Sequence, residues 1–287
     1  MKAIFGVNQT DSKGNLSGDE EIFIKAEIDQ FQKEKLDRCM RIAAEQTKRA
    51  DFPLWLKIVQ LILLFTWIIV IGGIVKALIG ETSLSTAYHN APYLFYLAPI
   101  AFIGWLFLYF YSKRRKASTE NSDDYKNAED YCNQVLAESE EQLHIPSDAE
   151  RIDILSFFYK KDNEELKPIN KGFTTFVNFE KQVYADETML YLADATTVIG
   201  LPKEEMKRIV RINKKTSLPA WNKMESLQSS KYLLYHMTTN SYGMIFIQYY
   251  FRLELEHAGE IYVLYFPPYE LSIVEQLTGL ECADEEK

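Results

Sequence analysis

Basic side chains gathered in one short segment are the clearest chemical signal in this sequence. They stand at Lys203, Lys207, Arg208, Arg211, Lys214 and Lys215. Such a cluster attracts anionic groups, and each cation near a charged membrane surface contributes about 1 kcal/mol. The cluster predicts a contact for anionic lipid or for a protein partner. The alternative is a solvated edge strand whose lysines discourage aggregation.

Residues that could perform catalysis form no recognisable set. The histidines are isolated from one another, at His89, His144, His236 and His257. Carboxylate pairs such as Glu204-Glu205 are adjacent in the chain rather than opposed across a cleft. The glycine-rich, nucleophile and zinc motifs of common enzyme classes are absent. We therefore expect no catalytic residues, no cofactor and no bound metal, and we predict that the chain is not an enzyme.

The cysteines and the net charge indicate which metal or disulfide sites and which partners are disfavoured. Cys39, Cys132 and Cys282 lie far apart, so the spacing indicates neither a zinc site nor a disulfide framework. The formal net charge is -9. Because binding to nucleic acid needs a concentrated positive surface, this charge disfavours nucleic acid as a partner.

Two long apolar segments dominate the first half of the chain. Residues 53–80 contain an uncharged run in which only Gln60 and Thr66 are polar, and residues 91–112 carry no charge. About 20 apolar residues are enough for a helix to cross a bilayer. We predict two transmembrane helices over these segments, joined by an extracytoplasmic loop at 81–90. A pair of buried core helices is the alternative.

Orientation follows from the basic residues that flank the two apolar segments. Lys48 and Arg49 precede the first segment, and the run Lys113 to Lys116 follows the second, whereas the loop at 81–90 has no lysine or arginine. Basic flanks favour the cytoplasmic side of a membrane. We therefore predict an integral, multi-pass protein of the cell membrane with its N- and C-termini in the cytoplasm.

Amphipathic helices are predicted on both sides of the apolar pair. Ser17-Gly18-Asp19-Glu20 has the spacing of a capping box, which favours a helix over 19–50 within the N-terminal segment 1–52. Another helix is predicted within 113–146. Because antiparallel spans would bring these helices side by side, we expect them to pair as a cytoplasmic stalk. The alternatives are a contact between copies in a homo-oligomer and a helix lying on the membrane surface.

Beyond Arg151 the pattern changes to short, β-rich runs separated by turn residues. The candidate strands are Ile152–Lys160, Gly172–Ala185, Met189–Ala193, Thr196–Leu201, Met206–Asn213, Lys231–Thr238, Met244–Glu254 and Ile261–Phe266. A closing helix is predicted over Tyr269–Leu280, followed by a tail at 281–287. Many strand residues are aromatic, and since neighbours in a strand face opposite ways, one set fills the core while the other lines a groove or covers the sheet.

The run VYADETMLYLADATTVIGLPKEEMKRIVRI, then KYLLYHMTT, then IYVLYFPPYELSIVEQLTGL resembles bacterial pleckstrin-homology-like domains of the YcxB-like type, which are attached to membrane spans. The resemblance covers residues 151–280. It implies an antiparallel β domain closed by a C-terminal helix, and a binding or scaffolding role rather than catalysis. The expected fold class is thus an α+β membrane protein with a transmembrane helical hairpin, a cytoplasmic helical stalk and a pleckstrin-homology-like domain.

These features predict a membrane-anchored interaction or scaffold module with an unidentified protein partner. Its β domain would bind protein segments, by strand addition to an open sheet edge. One alternative is an accessory or regulatory subunit of a membrane transporter. Another is a membrane enzyme that acts on lipid.

Overall fold

The computed structural model describes residues 1–8, 19–79, 85, 88–89, 92–162, 165–169, 176–219, 238–239 and 244–283. It is an α+β protein with a mainly antiparallel sheet and several helices, which confirms the predicted fold class at this level. The chain divides into two compact units. We call them the β domain, Met1–Gln30 with Glu138–Lys287, and the helical domain, Phe31–Ala137.

Four helices have described bounds within residues 30–142. They are α1 Gln30–Ala50, α2 Leu54–Leu78, α3 Pro92–Glu120 and α4 Asp123–Gln142. In the helical domain the rings of Trp67 and Phe102 stack at 5.0 Å. The rings of Phe52 and Tyr111 meet at 6.1 Å, and Cys132 Sγ lies 3.8 Å from the Cys39 carbonyl oxygen. Residue numbers on α1 and α2 therefore fall as those on α3 and α4 rise, so the paired helices run antiparallel.

One helical run among the described residues, Gln30–Lys76, is long and apolar enough to cross a membrane. Its most apolar window has a mean hydropathy of 2.7, and only 6% of that window is buried. This low burial differs from that of a core helix in a water-soluble protein, which would be mostly buried. The second predicted span lies in α3 from Pro92 onward, whereas Ala91 and most of the predicted loop fall outside the described residues.

Fifteen strands occupy the described part of the β domain. They are β1 Lys2–Ala3, β2 Gly6–Asn8, β3 Ile24–Glu27, β4 Glu150–Asp162, β5 Glu165–Ile169, β6 Phe176–Ala185, β7 Met189–Ala193, β8 Thr197–Pro202, β9 Met206–Ile212, β10 Thr216–Pro219, β11 Thr238–Thr239, β12 Met244–Ile247, β13 Tyr250–His257, β14 Glu260–Phe266 and β15 Cys282–Ala283. A short helix, α5 Leu271–Thr278, precedes β15. It ends at Gly279, whose φ of +73° suits a residue without a side chain.

The large sheet has the strand order β15-β9-β13-β14-β4-β6-β7-β8-β3. Outside this order, β1 pairs with β14, and both β2 and β5 pair with β4. A second sheet has the strand order β10-β12-β11. Pairing is antiparallel except at β1–β14, β2–β4 and β15–β9. Strands β4, β6, β7 and β8 thus lie side by side in chain order with only β5 left out, and β14 joins them to β13 and β9.

The described residues of the β domain form two hydrophobic clusters, and neighbouring residues of one strand belong to different clusters. Phe251, Leu253 and Phe266 belong to the first cluster, which α5 joins through Val274. Tyr250 and Tyr265 belong to the second, with residues of β10 and β12. Aromatic residues that face opposite ways on β13 and β14 are therefore both buried. Residues of the second sheet pack on the face for which a groove was one of the two predictions.

The N-terminal segment differs from the predicted helix over 19–50. Residues 19–23 form a 3₁₀ turn and Ile24–Glu27 is strand β3, so α1 begins only at Gln30. Tertiary packing explains the difference, because Phe23 is buried in the first cluster and β3 pairs with β8. The first residues also join the sheet, where Ile4 is fully buried.

Two further predicted elements have different bounds. The strand expected over Met244–Glu254 is divided into β12 and β13, which belong to different sheets. The closing helix is a 3₁₀ turn at Pro268–Glu270 followed by α5. Residues 172–175 and 231–237 of two other predicted strands lie outside the described residues.

A buried polar network connects β4 to the turn before α5. The Tyr269 hydroxyl donates a 2.7 Å hydrogen bond to Asp153 Oδ2, and the Asp153 backbone N–H donates a 3.0 Å bond to Glu270 Oε1. All three side chains are at most 2% exposed. Because buried polar groups are costly unless they are hydrogen-bonded, this network holds the C-terminal segment in one position.

Candidate functional site

Strand β9 and its two flanking turns carry the predicted basic cluster. The pairing of β9 with β13 contains a bulge, since Leu255 lies opposite Met206 and Glu254 lies opposite Arg208. Lys207 therefore has no direct partner residue on β13 and is exposed. Met206 and Ile209 point into the first hydrophobic cluster, so the cations lie at the surface of a well-buried strand.

The N-terminal half of the cluster is neutralised by acidic residues. Lys207 Nζ lies 3.2 Å from Glu256 Oε2, and Arg208 Nε lies 3.0 Å from Glu254 Oε2. Lys203 belongs to a 3₁₀ turn that also contains Glu204 and Glu205. Lys207 and Arg208 therefore each have a carboxylate partner, and Arg208 shares Glu254 with Arg252.

The C-terminal half of the cluster contacts aromatic rings instead of carboxylates. The Arg211 guanidinium lies 3.9 Å from the centre of the Tyr249 ring, and its Nε donates to Asn213 Oδ1 at 2.9 Å. Lys215 Nζ lies 5.8 Å from the centre of the Phe246 ring. None of the described residues gives Arg211, Lys214 or Lys215 a carboxylate partner. Aromatic contacts keep the positive charge available, so this half can bind an anion.

The outer edge of β9 is only partly covered. Among the described residues the strand paired with this edge is β15, whose Cys282 and Ala283 lie opposite Ile209 and Val210. The Cys282 backbone N–H also donates to Glu275 Oε1 at 2.8 Å, which ties β15 to α5. Among residues 244–283 and the other described segments, no strand pairs with the outer edge of β9 at its two ends, one of which carries Arg211.

Sequence reasoning missed a buried ion pair between β6 and the turn from β7 to β8. Lys181, whose side chain is 7% exposed, lies 2.5 Å from Asp194 Oδ2 and near the rings of Phe5 and Phe179. Burial favours the neutral form of Asp194, but Lys181 and the hydrogen bonds from Thr196 outweigh it and hold the pKa of Asp194 below its usual value. No sequence motif marks this pair, because its two residues meet only when β6 and β7 are paired.

Because of the Asp194 ion pair, the stability of the β domain should depend on pH in the acidic range. Since the pKa of Asp194 is lower in the folded chain than in the unfolded chain, its contribution is present above about pH 4 and is lost as the pH falls further. Denaturation midpoints measured between about pH 5 and about pH 3 should fall less steeply in D194N than in the wild type. The exposed Asp148 provides the control, because D148N should keep the wild-type slope. Equal slopes in D194N and the wild type would contradict the ion pair.

The histidines do not gather into a catalytic arrangement among the described residues. His257 Nδ1 lies 2.9 Å from Glu205 Oε2, and its ring packs on Phe23 at a centroid distance of 5.2 Å. His144 has a φ of +55° just beyond the end of α4, and His89 is exposed. His236 lies outside the described residues.

The structure brings together two cysteines that are distant in sequence. Cys132 Sγ approaches the Cys39 backbone at 3.8 Å, between α1 and α4. Burial and the neighbouring Cys132 thiol raise the pKa of Cys39 to about 11. Cys39 is therefore protonated at neutral pH and is a poor nucleophile. A cavity of about 200 Å³ beside this pair is lined by residues of both helices, including Ile42 and Tyr125.

Acidic, cysteine and histidine side chains of the described residues form no group of three or more that could hold a metal ion. Comparison with known proteins finds no relative, since no family model, no curated protein and no solved structure matches the chain. Function must therefore be inferred from the arrangement of the residues themselves.

Proposed function

We propose that the chain is a membrane-anchored interaction protein whose β domain binds an acidic, extended segment of a partner protein at the outer edge of β9. One observation carries the proposal. Within the part of the chain that the structure describes, two residues of β15 pair with this edge, and Arg211, Lys214 and Lys215 border it without a carboxylate partner.

Strand addition accounts for how a segment could be held at this edge. An incoming strand hydrogen-bonds to the free N–H and C=O groups of an edge strand, which provides affinity, while side chains provide specificity. A partner strand of four or more residues would form more of these bonds with β9 than the two described residues of β15 do. Glutamate or aspartate side chains on such a strand would complement the three cations.

The opposite edge of the sheet is less suited to such a partner. Strand β3 has only four residues, and its pairing with β8 shifts register between Ile24 and Ala26. Lys25 is exposed on it. Short length, a bulge and a lysine are the features by which edge strands avoid added strands.

The order of elements supports a pleckstrin-homology-like fold for this domain. Strands β4, β6, β7 and β8 lie side by side in chain order, β9, β13 and β14 form an antiparallel group, and α5 follows. Val274 of α5 packs into the first hydrophobic cluster. These features match the expected antiparallel domain with a closing helix, so we infer membership of this fold class.

Membrane anchoring is the second part of the proposal. The exposed apolar side chains along α2 and α3, such as Ile69 and Phe107 at 64% and 66% exposure, would be costly in water and favourable in lipid. We infer that both helices span the membrane, with both termini on the cytoplasmic side because the basic flanks adjoin the two outer ends of the pair.

A peptide-binding measurement tests the proposed function. The full chain in mild detergent is titrated into a fluorescein-labelled peptide of about eight residues in which valine and glutamate alternate. We expect micromolar binding that weakens between about 0.1 M and about 0.5 M salt. Ending the chain after Leu280 removes β15 and the acidic residues of the tail, and should tighten binding about tenfold.

The control peptide has lysine in place of glutamate and should not bind. A chain that binds neither peptide, with or without residues 281–287, would contradict the proposal. Because Cys282 packs beside the first cluster, thermal melting of the shortened chain is measured as well. If the shortened chain has lost its fold, a second experiment uses the wild type. A free peptide of residues 281–287 should then compete with the labelled peptide for the outer edge of β9. Failure to compete would contradict strand addition.

One observation favours the alternative of an accessory subunit of a membrane transporter. A Cβ atom added at Gly72 or Gly73 would meet nothing within 4 Å, whereas one added at Gly104 would meet Leu63 at 3.2 Å. The glycines of α2 are thus not used by the contact between α2 and α3. Small residues let membrane helices approach closely, so a helix of another protein could pack there.

A further inference from the structure

Basic residues from two distant parts of the sequence meet at one level of the helical domain. Arg115 Nε and Nη2 donate to the Arg49 carbonyl oxygen at 3.3 Å and 3.2 Å. The rings of Phe52 and Tyr111 are in contact beside this bond. The end of α1 and the last turns of α3 are thereby held side by side. We define the basic collar as Lys48, Arg49, Lys113, Arg114 and Arg115.

The collar keeps its positive charge because the acidic residues near it have other partners. Asp51 Oδ1 lies 3.4 Å from Lys57 Nζ, and Glu120 Oε1 lies 3.7 Å from Lys116 Nζ. The described residues provide no carboxylate within ion-pair distance of the five collar residues. Four of the five collar side chains are exposed, and Arg115 is half-buried against the α1 carbonyl.

Apolar side chains lie directly beside the collar. Leu54, Trp55 and Ile58, at the start of α2, are 74%, 64% and 51% exposed. A tryptophan between cations and an apolar surface is typical of the level at which a bilayer meets water. Arginine and lysine at this level can hydrogen-bond to phosphate oxygens while the neighbouring side chains contact acyl chains.

We propose that the basic collar is a binding site for the headgroups of anionic phospholipids. This inference rests on the proposed membrane anchoring and adds the class of lipid that surrounds it. It also separates the two basic clusters of the chain, because the collar would contact lipid whereas the cations of β9 would contact a protein segment.

The test compares lipids that share acyl chains and differ in headgroup charge. The full chain is placed in nanodiscs that contain equal amounts of phosphatidylglycerol and phosphatidylcholine, and lipid that remains bound after gentle release is identified by native mass spectrometry. We expect phosphatidylglycerol to be enriched about tenfold. The variant K48Q/R49Q/K113Q/R114Q should lose this enrichment.

A matched variant shows which basic cluster is responsible. K203Q/K207Q/K214Q/K215Q removes the same number of cations from the β domain and should keep the full enrichment. Loss of enrichment in this control, or its persistence in the collar variant, would overturn the proposal. Inorganic phosphate at about 50 mM should displace no more lipid than sodium chloride of the same ionic strength; a larger displacement by phosphate would mean that the collar is a site for free phosphate instead.

Two measurements on the wild type keep the proposal testable if the collar variant does not fold. Raising the salt from about 0.1 M to about 0.5 M should reduce the enrichment several-fold, because contacts at the water interface are screened, and unchanged enrichment would contradict the proposal. Carbonate extraction of native membranes separates the two levels of inference. A chain released by carbonate contradicts membrane anchoring itself, whereas a retained chain without lipid preference contradicts the collar alone.

Discussion

Replacement of Asp153 by alanine should lower the free energy of unfolding of the β domain by about 3 kcal/mol. The reason is that Asp153 is 1% exposed and accepts the hydroxyl hydrogen bond of Tyr269, which is equally buried. Its removal leaves a buried hydroxyl without this acceptor and opens a small cavity. Thermal melting followed by circular dichroism should show a midpoint lower by roughly 10 °C, as expected for a domain of this size.

Two comparison variants isolate the hydrogen bond in this experiment. D153N keeps an acceptor oxygen for Tyr269, so it should be destabilised less than D153A. The double variant D153A/Y269F should be hardly less stable than D153A, because the two side chains belong to one network. The exposed Asp148 offers the control D148A, which should change stability by no more than about 0.5 kcal/mol. Full additivity of D153A and Y269F would show that the network is not coupled.

The variant R211Q/K214Q/K215Q should bind the alternating valine–glutamate peptide about 30-fold more weakly than the wild type. Each of these cations lies at the surface, where one ion pair contributes about 0.5 to 1 kcal/mol, so three together account for about 2 kcal/mol. The remaining affinity would come from backbone hydrogen bonds, which the substitutions leave intact. Fluorescence polarisation with the labelled peptide provides the measurement, and the variant should lose most of the salt dependence as well.

The control for this prediction removes three exposed cations elsewhere, in R41Q/K126Q/R151Q. It should bind the peptide like the wild type, because Arg151 lies on β4 and the other two residues belong to the helical domain. A second comparison is K203Q/K207Q, which alters the half of the basic cluster that faces acidic residues and should weaken binding less than twofold. Equal losses in all three variants would mean that general charge attraction, and not the edge of β9, determines binding.

Local patterns in the sequence predict much of the fold class. Alternating apolar residues between turn signals identify β7 with its observed bounds, and β9 and β14 to within one residue at each end. These elements are predictable because their two faces lie in different surroundings, which requires alternation in the sequence. The long apolar run of α2 is equally apparent. Its placement in a membrane, its orientation and the resemblance to pleckstrin-homology-like domains stay predictions.

Local patterns failed where distant segments determine the structure. The capping-box spacing of Ser17 and Glu20 favours a helix, but Phe23 packs in the first hydrophobic cluster and residues 24–27 pair with β8 as strand β3. The run Met244–Glu254 is continuously β-rich, yet it is divided between two sheets. In both places the burial gained in a distant cluster outweighs a weak local preference.

By itself, the sequence determined that this chain has long apolar segments, an α+β composition with an antiparallel sheet, and one dense basic cluster. Only the tertiary structure decided which of those cations have a carboxylate partner among the described residues. Glu254 and Glu256 on the neighbouring strand neutralise Arg208 and Lys207, whereas Arg211 and Lys215 rest on aromatic rings. The structure also places the Arg115 guanidinium against the Arg49 carbonyl oxygen. The physical reason is that charges act through space, over distances that only folding establishes.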